Sequence, residues 1–75
     1  MTEQRYDVVI YQLETRTVDT IAGKNMHLAS GSFSTATKRL NTVLPRLNER
    51  YDAMIVDAGR FKAGDVLPDD AEVEL

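Results

Sequence analysis

The hexapeptide Arg5-Tyr6-Asp7-Val8-Val9-Ile10 returns as Arg50-Tyr51-Asp52-Ala53-Met54-Ile55, and both copies open a run of apolar and β-branched residues. Two segments that begin alike and share strand composition are most simply two strands of one sheet. The residues between them read as a hairpin, a loop and one amphipathic helix. The chain is therefore expected to be a small α+β domain of the ββαβ type. Its sheet should be mainly antiparallel, with three or four strands and one helix packed on one face, leaving the other face to water or to a partner.

Tyr6 to Leu13 alternates between two faces, Tyr6/Val8/Ile10/Gln12 and Asp7/Val9/Tyr11/Leu13, which predicts the first strand. Glu14-Thr15-Arg16 lacks an Asn-Gly or Asp-Gly signal, yet Thr17 to Ala22 resumes strand composition, so a short hairpin loop is the economical connection. Gly23-Lys24-Asn25 reads as a turn or bulge, after which Met26 to Ala29 either extends the second strand or forms a third. Tyr51 to Asp57 is the next strand. Its centre, Ala53-Met54-Ile55-Val56, is apolar on both faces, as a central or doubly covered strand would be. Phe61 to Val66 offers a short edge strand before Pro68 stops pairing. A parallel return through the helix then gives the spatial order 2-1-3, with the two Arg-Tyr-Asp copies near opposite ends of adjacent strands.

Ser32 or Ser34 is the expected N-cap of a helix running from Phe33 to about Glu49. At about 100° per residue, Phe33, Ala36, Leu40, Val43, Leu44 and Leu47 share one apolar arc. Pro45 removes an N–H and crowds the preceding turn. It projects away from the arc, so the sequence predicts a kink that bends the helix around the core.

The 75 residues make one domain, and at this size folding buries only roughly 60% of the unfolded chain's surface. Dimerisation would add to that. There is no cysteine, hence neither a disulfide framework nor thiolate ligands for a zinc ribbon, which fits a reducing cytoplasm. No apolar run resembles a signal peptide or approaches the roughly 20 residues of a membrane span. The net charge of −3 hides an asymmetry: residues 63–75 hold five acidic residues and no Lys or Arg, against nine basic and seven acidic residues in 1–62. The expected division is a domain over 1–62 followed by a solvated acidic tail over 63–75.

Candidate sites are sparse. Lys38, Arg39, Arg46 and Arg50 lie within about 120° of one another on a helical wheel and form the best candidate binding surface, with Glu49 among them. Long basic side chains flanking a core with their heads in water explain them equally simply. Tyr6 and Tyr11 have opposite parity, so they do not make one base-stacking platform. Gly23-Lys24-Asn25 lacks the earlier Gly and the following Ser or Thr of a phosphate loop. His27 is the only histidine, and no nucleophile-elbow sequence accompanies it. Asp65, Asp69 and Asp70 lack the spacing and closing Glu of a calcium loop.

These readings favour a non-enzymatic protein-interaction module with no cofactor, homodimeric or bound to another protein. The expected setting is the cytoplasm, in an accessory role of a bacterial or mobile-element kind. The alternative is a nucleic-acid-binding domain using the basic helix flank, and a third reading is a small enzyme using His27.

Overall fold

The computed structural model describes residues 5–22 and 32–73. His27, the choice between one strand and two over residues 26–29, and the Gly23-Lys24-Asn25 turn lie outside them. The first strand, β1 (Tyr6–Gln12), pairs antiparallel with both β2 (Val18–Ala22) and β3 (Tyr51–Asp57), and the order is β2-β1-β3. The helix α1 (Phe33–Val43) lies between β2 and β3 in sequence. The domain is α+β, as its alternation implies, and the described residues contain three strands rather than four.

The repeated hexapeptide has a geometric meaning. In the β1–β3 register Val9 faces Met54, which is its own counterpart in the repeat, and Tyr6↔Asp57 is matched by Gln12↔Tyr51. A local two-fold axis normal to the sheet therefore passes through the Val9–Met54 pair. Such an axis keeps faces, so corresponding residues emerge on the same side. Val8, Ile10, Ala53 and Ile55 pack under the helix with Tyr6, Ala36, Phe33 and Leu40. Val9 and Met54 join Tyr11, Val18, Ile21 and Val56 in a second cluster on the opposite face.

That opposite face is not left to water or to a partner, as the sequence suggested. After β3 the chain turns at Gly59, whose φ of 76° suits a residue without Cβ. Asp7, almost fully buried, accepts the Gly59 N–H at 3.2 Å and fastens this turn to the sheet. The chain then crosses below the sheet with Phe61 against the second cluster. At the far side Gly64 N–H donates to Val18 O and Val18 N–H donates to Asp65 O, both at 2.8 Å. The Phe61–Val66 edge strand reduces to an isolated bridge, Thr17↔Val66. Turning back, the chain buries Leu67 and Ala71 under the sheet and reaches the outer edge of β3, where Val73 N–H donates to Ile55 O at 2.8 Å.

Residues 58–73 are thus a strap that covers one face and touches both sheet edges. The tail expected to be solvated is, as far as Val73, part of the packing. Its acidic side chains mostly point outward while single apolar residues face inward. This also explains β3: it lies at the sheet edge rather than well inside, and Ala53 to Val56 are apolar on both sides because helix and strap cover them.

The helix start is as the sequence predicts, with Ser32 Oγ accepting Thr35 N–H at 3.3 Å. The end is not. The helix stops at Val43 and tightens into a 3₁₀ turn over Leu44–Arg46, after which Leu47 is extended with ψ 142°. Pro45 sits in the first positions of that turn, where its missing N–H costs least. A long kinked helix to Glu49 gives way to a short straight one. Val43 and Leu47 still reach the core, whereas Leu44 stays 40% exposed.

Candidate interaction surface

Early termination of the helix changes the meaning of the basic flank. Lys38 and Arg39 are on α1, Arg46 is in the 3₁₀ turn, and Arg50 lies in the turn before β3. A wheel drawn through all four does not describe the molecule, because the chain leaves helical geometry at Leu47. Lys38 and Arg46 are exposed, and Arg39 is half-buried.

Arg50 instead belongs to an open cleft of about 780 Å³ at one end of the sheet, lined by Gln12, Leu13, Glu14, Glu49, Arg50 and Tyr51. The β1–β3 register brings these two segments together, with Gln12 opposite Tyr51 and Leu13 N–H donating to Arg50 O at 2.9 Å. Asn48 holds the turn that carries Glu49 and Arg50: its Oδ1 accepts Arg50 N–H at 2.8 Å and its carbonyl accepts Tyr51 N–H at 3.1 Å. Leu13 is 49% exposed here, among two carboxylates and a guanidinium. The surroundings are suited to binding: an apolar centre, an aromatic ring, and charges of both signs.

Behind the cleft stands a braced hairpin. Arg16 takes a φ of 57°, unusual for a residue with a side chain. It is held there from several directions. Its N–H donates to Gln12 O at 2.7 Å, its carbonyl accepts Leu67 N–H at 2.8 Å, and its guanidinium donates to Leu67 O and Pro68 O at 3.3 and 3.4 Å. The same guanidinium lies 5.6 Å from the Tyr11 ring centroid. Burial raises the Tyr11 pKa; the Asp52 carboxylate, as charge and hydrogen-bond acceptor, pushes the same way, and Arg16 opposes it. Tyr11 therefore stays a neutral donor that joins β1 to β3 below the cleft.

The two tyrosines of opposite parity serve opposite cores. Tyr6 packs edge-on to Phe33 under the helix, and Tyr11 lies on the strap side. Asp65 and Asp70 are engaged separately in the strap, which also carries Asp69. Asp65 accepts Lys62 N–H, Asp70 pairs with Arg60 at 3.2 Å, and no described group of three or more His, Asp or Glu is placed to hold a cation. No helix among the described residues is long and apolar enough to cross a membrane.

Sequence reading did not single out Gln12, Leu13 or Glu14 as candidate-site residues, because nothing local marks them. The available signal was the repeat: its two-fold register sets the end of β1 against the start of β3. No family model, curated protein or solved structure matches the chain.

Proposed function

We propose that this chain is a small protein-interaction module that acts by binding rather than by chemistry, and that a second copy of itself occupies the cleft. The observation that supports this is the half-exposed Leu13 in a cleft that Glu14, Glu49 and Arg50 also line. A two-fold interface must be complementary to itself, so a patch needs an apolar centre and charges of both signs. This patch has both. Leu13 meets its symmetry mate near the axis while Arg50 of each copy faces a carboxylate of the other. With the second sheet face filled by the strap, the cleft at the sheet end is the surface offered for self-association. The proposed setting is an accessory role in a reducing cytoplasm, supported by the lack of cysteine.

Sedimentation equilibrium over a range of concentrations tests the reading. The wild-type chain should show a monomer–dimer equilibrium. Leu13→Asp should weaken it by more than about 100-fold, because burying an unpaired carboxylate costs several kcal/mol. A monomer at every concentration, or a dimer indifferent to Leu13→Asp, would refute self-association through the cleft.

A further inference from the structure

We infer that the outward face of α1 and the 3₁₀ turn is a phosphate-binding surface for nucleic acid, separate from the cleft. The first observation is the distribution of charge. No Asp or Glu occurs between Asp19 and Glu49, a stretch that contains Lys24, Lys38, Arg39 and Arg46, although the chain has 12 acidic residues. The described part of that stretch includes the whole helix layer. On the opposite side of the sheet, the strap carries Asp65, Asp69, Asp70 and Glu72 against Arg60 and Lys62, two acidic charges in excess. The molecule therefore has a basic helix layer and a net acidic strap with a sheet between. Such a dipole turns its helix toward a polyanion in spite of a net charge of −3.

The second observation is which groups face outward. Lys38, Asn41 and Arg46 are exposed together with Ser34, and Arg39 is half-buried beside them. Lys, Arg, Ser and Asn are the usual partners of phosphate oxygens. Thr37 and Thr42 are not offered for this purpose, because their hydroxyls donate to Phe33 O and Lys38 O within the helix. Lys38 and Arg46 are separated by about 13 Å along the axis, at about 1.5 Å per residue in α1 and about 2 Å in the 3₁₀ turn. That distance covers three to four nucleotides at about 3.4 Å per step. With no aromatic side chain among the described residues exposed on this face, the binding is electrostatic and indifferent to sequence.

Fluorescence anisotropy with a labelled single-stranded oligonucleotide of about 15 nucleotides tests this at several salt concentrations. The two exposed cations, Lys38 and Arg46, give an expected slope of about −1.4 in log affinity against log salt, so affinity falls roughly sevenfold between about 50 and 200 mM. Lys38→Gln with Arg46→Gln, both at exposed positions and neutral to folding, should remove the salt-dependent binding, with circular dichroism checking that the fold is intact. Asp69→Asn with Asp70→Asn, on the acidic strap, should leave the slope unchanged. The inference is overturned by absence of binding at low salt, by binding indifferent to salt, or by full binding in the Lys38→Gln/Arg46→Gln variant. Displacement by polyglutamate as effective as by unlabelled oligonucleotide would overturn it in favour of an acidic protein partner.

Discussion

Deleting residues 67–75 is expected to abolish cooperative folding, and Leu67→Ala alone to cost about 2–5 kcal/mol. Leu67 is 3% exposed and Ala71 is fully buried, both against Val9, Tyr11, Met54 and Val56. Removing them uncovers one of the two apolar clusters and frees Arg16, whose positive φ is held by Leu67 from both N–H and carbonyl. A domain this small has a total stability near the low end of about 5–15 kcal/mol, so the loss reaches the whole of it. Urea titration followed by circular dichroism reads both variants. A cost below about 1 kcal/mol for Leu67→Ala would place the strap outside the fold.

The second large effect concerns the other face. Tyr6→Ala should destabilise by about 3–5 kcal/mol, the range for deleting a buried aromatic ring. Tyr6 is 6% exposed, and its ring meets Phe33 edge-on at 5.4 Å between centroids, fixing the first turn of α1 to β1. A double-mutant cycle with Phe33→Ala should return a coupling of about 0.5–1.5 kcal/mol. Tyr51, its counterpart in the repeat, is half-buried at the cleft, so Tyr51→Ala should cost less than half as much. Equal costs would mean that the helix covers both ends of the pseudo-symmetric strand pair alike.

The strands were legible because alternation and β-branched content act locally, and the repeat located β1 and β3 together. Ser32 was legible as a cap for the same reason: one hydroxyl satisfies one nearby N–H. The helix end was not. The outward direction of Pro45 argued for a bend, but around its missing N–H the chain tightens from about 3.6 to about 3.0 residues per turn and leaves at Leu47. The strap gave no signal because Leu67, Ala71 and Val73 are spaced among Pro68 and acidic residues, without the period of a helix or a strand. What holds it is pairing with Thr17, Val18, Arg16 and Ile55, all distant in sequence. The cleft was hidden likewise, since Leu13 and Arg50 become neighbours only through the β1–β3 register. Of the basic residues singled out, Lys38, Arg39 and Arg46 stay with the helix layer and Arg50 departs to the cleft.

The sheet is closed on both faces by its own chain, and this leaves the proposed interaction surface at the sheet end. Residue-resolved hydrogen exchange tests this directly. The amides of Gly64, Leu67 and Val73, bonded to Val18 O, Arg16 O and Ile55 O, should be protected with β1 and lose protection with it in denaturant. Fast exchange throughout residues 60–73, beside protected strands, would contradict the account: the acidic segment would be detached and the apolar face of Val9, Met54 and Val56 open to a partner.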